Sequence, residues 1–418
     1  MGSASAMLSF EQARHVVEEH ASRLCPHGEE RVGLLESIGR VLAEPLVADR
    51  NFPPFPRATR DGYAVRAADL NPLPATLAVI GEIKAGAEVS LHVGSGQAAA
   101  IMTGAPAPAG ADSVVMVEYT SRQGDRVEVR RGVAVGENIV PCGAEAKQGE
   151  PLLAPGIRLK AAAIALASSV GKSHLRVYAK PRVAVLATGD ELVDVDVSPA
   201  PHEIRNSNSY SLAAQIRSAG GEPVLLPIAP DEPERLRELI ANGLKANLLL
   251  LSGGVSAGRY DLVEQVLGDL KAEFFFTAVE IQPGRPMVFG RLPGGAAELP
   301  RGRDTDGRYF FGLPGNPVST MVTFELFAKP VVRALAGMTP TKLVFLRARL
   351  KSEVKTKTGL QRFLPAILSG EFDQAEVELV PWHGSGDMAA TARTNCYLVV
   401  APAQDRIMAG EWVPVLLR

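Results

Sequence analysis

Three short stretches of the chain set glycine beside oxygen-bearing side chains. They are Thr188-Gly189-Asp190-Glu191, then Ser252-Gly253-Gly254-Val255-Ser256-Ala257-Gly258 with Asp261 just beyond, and Gly312-Leu313-Pro314-Gly315-Asn316-Pro317-Val318-Ser319. Glycine lets a backbone approach a ligand closely, and free N–H groups at a helix start attract anions, phosphate above all. Asp190, Glu191, Asp231 and Asp261 lie at or just past expected strand ends. An Asp there usually caps the next helix, and that reading suits Asp231 best, two residues before Pro233. Carboxylates beside a phosphate site also suit a bridging divalent cation, because Mg2+ takes oxygen ligands and few protein groups. Spacing alone leaves these two readings balanced. Asp61, in "RDGYA", and Thr103, in "IMTGAPAP", each read in isolation as part of a turn. The 7 histidines show no metal-ligand spacing. No G-x-S-x-G, P-loop or H-E-x-x-H occurs.

The elements that must position these residues follow from periodicity. From Pro181 apolar strands alternate with helices: "RVAVLATG", a helix capped near Asn208 and stopped by Gly220-Gly221, "EPVLLPIA", a helix opening at Pro233, "NLLLLSGG", and "LVEQVLGDL". "RYFFGLPGNP" and one long helix, "VSTMVTFELFAKPVVRALAG", complete the set. Such alternation predicts βαβ units and a parallel sheet. Ligands of such sheets bind outside the carboxyl ends of the strands, where all three glycine turns fall.

Ahead of that unit, Ser9 with Gln12 resembles a capping box and opens a helix over residues 9–24. Residues 29–44 read as a second helix, residues 51–60 as irregular and proline-rich, and residues 61–140 as short β runs between turns. An alanine-rich helix over residues 159–172 is expected to return and pack with the N-terminal helices. Beyond Thr339 short strands recur to the end, as in a barrel or sandwich. The expected division is a helical unit from residues 1–50 and 146–180, an inserted β domain 51–145, an α/β domain 181–335 and a C-terminal β barrel 340–418.

Composition excludes several classes. The chain has 418 residues, a net charge of −2 and no long basic run, which argues against nucleic acid and membrane surfaces as partners. Its 3 scattered cysteines suit neither a disulfide framework nor a zinc site. No stretch of membrane-spanning length and apolarity occurs, and a soluble cytoplasmic protein is expected.

Six motifs in order, "PPFPRATRDGYAV", "IMTGAPAPAGADSVVMVE", "LATGDEL", "LLSGGVSAGRYD", "QPGRPMVFG" and "FGLPGNPVS", resemble the MoeA family, which includes the E domain of gephyrin. The resemblance implies a molybdopterin molybdenumtransferase of molybdenum cofactor biosynthesis. It implies a homodimer of four-part subunits with a helical dimerisation region, an inserted β domain, a central molybdopterin-binding α/β domain and a C-terminal β barrel. The implied reaction takes adenylylated molybdopterin and molybdate as small-molecule substrates, uses Mg2+ and releases AMP. Carried over by position, the family's catalytic residues fall on Asp61, Thr103, Glu191, Asp231 and Asp261, the last three as metal ligands. Substrate binding falls on Asp190, Ser252, Gly253, Gly254, Ser256, Gly258, Pro314, Gly315, Asn316, Pro317 and Ser319, with Asn208 and Arg285 as further contacts. Asp61 and Thr103 would act in the partner subunit's cleft. Transient contacts with other cofactor-biosynthesis or acceptor proteins are also implied. The chain departs from the family at Val140-Pro141-Cys142, Ala278 and Gln282, where basic residues are common; Lys147 and Arg285 are the candidates to compensate. Tungstate insertion by the same chemistry and a gephyrin-type scaffold are the alternative readings.

Overall fold

The computed structural model describes residues 7–88, 90–254, 262–292 and 307–418. Helix α1 (Phe10–Ala21) opens with the capping box read from sequence: the Ser9 hydroxyl accepts from the Gln12 N–H, and the Ser9 N–H donates to Gln12 Oε1. Its buried face, Phe10, Ala13, Val17 and Ala21, joins the core beneath the central sheet. It does not pair with the helix at 159–172, as the sequence suggested.

Residues 29–44 do not form the expected helix. Glu29–Gly33 is a strand paired antiparallel with His174–Tyr178, and Leu46–Val47 pairs with Pro151–Leu153. Leu35 and Ile38, which a helix would bury, stay exposed, and Gly39 takes a left-handed φ of 77° between them and Val41. Cross-strand partners more than a hundred residues away override the local helical spacing, and no local pattern announces them. Leu42, Leu46, Leu175 and Val177 then close a small core over α2 (Ala161–Ser169).

Between these paired segments runs a six-stranded sheet ordered Ser113–Met116, Gly62–Val65, Gln97–Ile101, Ala75–Ile83, Arg126–Val129, Thr120–Gln123. The antiparallel register sets Gly62 opposite Ile101. That brings Asp61, just before one strand, to Thr103, just after the other.

The central sheet holds β1 (Arg182–Ala187), β2 (Glu222–Leu225), β3 (Leu248–Ser252), β4 (Glu273–Ala278), β5 (Pro286–Leu292) and β6 (Arg308–Leu313). Their order is β2-β1-β3-β6-β5-β4; the first four are parallel, β5 runs antiparallel to β6, and β4 runs antiparallel to β5. Every residue of β3 is buried. Leu248 and Leu250 face one layer, with α1, α3 (Ser207–Ala219), α6 (Pro317–Thr323) and α7 (Lys329–Leu335), while Leu249 and Leu251 face α4 (Pro233–Gly243) and α5 (Leu262–Asp269). The period of two thus serves both layers. The long helix expected after β6 is interrupted by a π turn at Phe324–Ala328. Pro330, which has no N–H to give, stands just past that wider turn.

The C-terminal strands β7 (Phe345–Leu350), β8 (Gln361–Ser369), β9 (Glu376–Leu379), β10 (Cys396–Val400) and β11 (Trp412–Leu417) close a barrel in the order β8-β9-β7-β11-β10 and back to β8. Two ties join barrel and central unit. Ile281–Gln282 pairs parallel with Gln361 and Arg362 of β8, and Phe363 packs edge-on against Phe10 with ring centroids 5.1 Å apart.

Candidate functional site

Parallel register brings the three glycine turns to one edge. Ala187 aligns with Ser252, and Ser252 with Leu313, so β1, β3 and β6 end side by side. The turns are stitched together where the strands stop. The Thr188 N–H donates to the Ser252 carbonyl at 3.0 Å, and the Gly253 N–H to the Leu313 carbonyl at 3.2 Å. A bridge between Thr188 and Ala229 carries the segment after β2 to the same edge, with Asp231 two residues on.

A cleft of about 910 Å3 opens there, and every residue lining it comes from the span 187–317. That volume is of the size that takes a drug-sized or larger ligand. Glu191, Asp231, Asn208, Ser252, Gly253, Gly254, Pro314, Gly315, Asn316 and Pro317 are all brought together on its wall. Gly253 has a φ of 95°, and a Cβ there would stand 2.6 Å from the Thr188 carbonyl oxygen. Only glycine lets this turn lie flat against its neighbour.

Asn208 sits in the first turn of α3 and links two turns. Its Nδ2 donates to Ser252 Oγ at 2.9 Å and to the Gly315 carbonyl at 2.7 Å. The cap of α3 is Asn206, two residues earlier than the sequence suggested; its side chain accepts from the Ser209 N–H. Asn208 is therefore free of the capping task. Asn316 caps α6 without a side-chain hydrogen bond.

The acids divide into two roles. Asp190 is outside the cleft lining, and its Oδ1 accepts from the Asp231 N–H at 3.0 Å, so it positions that segment. Asp231 is not a helix cap: Glu232 takes that place, without a side-chain bond. Desolvation, then the nearby Asp190 and Glu191 carboxylates, push the Asp231 carboxyl above its ordinary value. Glu191 and Asp231 thus make one wall of the cleft strongly negative. As hard oxygen donors beside space for a phosphate they fit Mg2+, which needs only one or two carboxylates when the substrate supplies further oxygens. Among the described residues no three His, Cys, Asp or Glu side chains converge as a metal cage.

Several residues read from the sequence lie elsewhere. Asp61 accepts from the Thr103 N–H at 2.6 Å and from its hydroxyl at 2.9 Å, which holds the exposed Asp61 carboxyl below its ordinary value. This pair belongs to the inserted sheet and does not line the chain's own cleft. Ser319 is buried inside α6, and Arg285 is exposed with its Nη2 3.3 Å from Met7 Sδ; neither lines the cleft, although Pro286 does. Lys147 also lies off that lining. Ser256, Gly258 and Asp261 fall outside the described residues.

Sequence reasoning named the Thr188 turn but missed Ile204, Arg205, Asn206 and Gln265, all on the lining. Residues 204–205 form a two-residue strand parallel to Leu192–Val193, too short to leave a period. The available signal was the Asn-Ser-Asn run at 206–208, in which either asparagine can cap.

Three family models match in order: the MoeA N-terminal region (domain I and II) over residues 8–171, a probable molybdopterin binding domain over 184–334, and the MoeA C-terminal region (domain IV) over 347–417. A molybdopterin molybdenumtransferase from Nostoc sp. is 36% identical over 93% of this chain and 88% of its own length. Molybdopterin molybdenumtransferase 1 from Mycobacterium tuberculosis is 32% identical over 92% and 93%. Among solved structures, a molybdopterin biosynthesis moeA protein from Pyrococcus horikoshii OT3 superposes with a TM-score of 0.79 at 28% identity, over 99% of this chain and 100% of that one. Among the described residues no helix is long and apolar enough to cross a membrane.

Proposed function

Since the chain belongs to the MoeA family, we propose that its central cleft binds adenylylated molybdopterin, receives molybdenum from molybdate and releases AMP. The activity is that of a molybdopterin molybdenumtransferase in molybdenum cofactor biosynthesis. The observation that carries the finer reading is the register. β1, β3 and β6 end level, and their three turns surround one large cleft with two acids on its rim.

The chain's own groups divide the work. The turns at Gly253-Gly254 and Pro314–Pro317 let a phosphoanhydride lie close to the backbone. Asn208 fixes the spacing of those turns by bonding both. Glu191 and Asp231 would hold Mg2+, which when bound supplies charge stabilisation for cleavage of the phosphoanhydride. The backbone bond from Asp231 to Asp190 keeps that carboxylate at the rim. A water or molybdate oxygen attacks the anhydride phosphorus, the P–O bond breaks and AMP departs; the two dithiolene sulfurs then bind molybdenum as their protons leave with one molybdate oxo group as water. Asp61 and Thr103, held to one another on the inserted sheet, would enter the cleft of the other subunit of a homodimer. The setting proposed is the cytoplasm, with transient hand-over to other cofactor-biosynthesis or acceptor proteins.

The test is turnover in vitro of adenylylated molybdopterin with molybdate and Mg2+, reading AMP and reconstituted cofactor, with tungstate in a parallel arm. AMP release that needs both oxyanion and Mg2+ supports the proposal. Release in neither arm overturns it.

A further inference from the structure

We propose that Arg205 is the group that receives a tetrahedral oxyanion, a substrate phosphate or molybdate, in the central cleft and so sets its affinity for anionic substrate. The inference rests on the reading of that cleft as the site of molybdenum transfer. The problem it answers is electrostatic. The substrates are anions, yet Glu191 and Asp231 stand on the cleft wall. Two carboxylates repel an incoming oxyanion, and a bound divalent cation offsets only that wall.

Arg205 is the sole basic residue among the described residues lining the cleft. Among the described residues the other candidate cations are engaged or placed elsewhere. Arg285 is off the lining, beside Met7. Arg57 pairs with Glu145 at 2.9 Å on the segments that flank the inserted sheet. Gln282, at a position where a basic residue was looked for, accepts from Arg362 at the junction with the barrel.

The backbone of Arg205 is fixed by its parallel pairing with Val193, and its Nε donates to the Val197 carbonyl at 3.0 Å. One of five guanidinium donors is thereby used, which anchors the group and leaves the terminal nitrogens. Arg205 forms no ion pair among the described residues. The next residue, Asn206, caps α3, so the amino end of a 13-residue helix opens beside it, with Ser207 and Asn208 also on the lining. A planar guanidinium and a helix amino end on the lining give an anionic ligand a cationic partner in a cleft that also carries two carboxylates.

The experiment measures Arg205→Gln and Arg205→Lys against the wild type. KM and kcat are read separately for adenylylated molybdopterin and for molybdate, and equilibrium binding of each is read by calorimetry without turnover. Arg205→Gln is expected to weaken one of the two ligands by about ten-fold or more, as for loss of a charge-assisted contact, with kcat changed by no more than about three-fold. Arg205→Lys recovers part of the loss, and higher ionic strength narrows the gap between wild type and Arg205→Gln. A rise confined to the pterin identifies the anion as its phosphate; a rise confined to molybdate identifies the metal oxyanion. Unchanged KM and binding for both ligands, or a loss in kcat alone, overturns the inference. A wild type that binds but does not turn over would sink the reading of function, while the calorimetry still decides the role of Arg205.

Discussion

Asp231 shows how a surface carboxylate acquires a task. Its carboxyl is lifted by desolvation and by two neighbouring acids, and a backbone hydrogen bond from Asp190 offsets only part of that rise. A carboxylate whose charge is disfavoured by its surroundings, on the wall of a cleft, is a candidate for holding a cation. Asp231→Asn and Glu191→Gln should each lower turnover by about a hundred-fold or more, as expected when metal-held transition-state stabilisation is lost. Both should keep the wild-type circular dichroism, because neither side chain is part of the core. Full activity in both would remove the acids from the mechanism. At this scale the sequence was informative about residue type and poor about role. It set capping against metal binding for Asp231, and the Glu232 cap removes the first of these readings. Arg205 carried no such flag, because a lone arginine before a helix has no distinctive spacing.

Secondary elements were legible where local chemistry governs them and opaque where distant partners do. The Ser9–Gln12 box and the β3 leucines follow from spacing and burial. Residues 29–44 carry an apolar spacing fit for a helix, yet they pair with residues near 175. At this scale Gly253→Ala tests the packed turns. Its positive φ and the 2.6 Å approach to the Thr188 oxygen should cost about 1–3 kcal/mol of stability and weaken substrate binding. Chemical denaturation of the purified variant measures the first, and calorimetry the second.

Helix α1 adds a pH-dependent element. His20 stacks on Phe275 with centroids 3.9 Å apart and meets the Tyr309 hydroxyl at 3.1 Å. Burial, then Arg23, lower its pKa below the ordinary value of 6.5. The unfolded chain therefore takes up the proton more readily than the folded one. Stability from a neutral His20 is full above about pH 6.5, the unfolded value, and drains as pH falls toward the lower folded value. The melting temperature should fall less between pH 7 and pH 5 in His20→Phe than in the wild type. Equal falls would show that His20 titrates alike in both states.

On the scale of the whole molecule, the order of parts was readable because composition changes along the chain and each part keeps its own period. What could not be read was how the parts meet. Phe10 of α1 packs on Phe327 of the π turn and on Phe363 of the barrel, and the Val318 N–H at the third turn donates to the Ser385 carbonyl of a barrel loop. The two Phe10 contacts join residues hundreds of positions apart. Asp61 and Thr103 pose the same question between chains, since they form a hydrogen-bonded pair yet stand off the cleft of their own chain. If two subunits share each site, mixing inactive Asp61→Ala with inactive Asp231→Ala should restore about a quarter of wild-type turnover, because half the dimers are mixed and each of those has one intact site. A mixture no more active than its parts would place Asp61 outside the partner's cleft.

The central claim is that the carboxyl edge of the β1, β3 and β6 strands is where substrate sits. Hydrogen–deuterium exchange with and without adenylylated molybdopterin tests it most directly, because it maps binding without requiring turnover. Slowed exchange should be concentrated in peptides covering 188–191, 204–208, 252–254 and 314–317. Protection confined to the barrel or to α2, with those four peptides unchanged, would contradict the account.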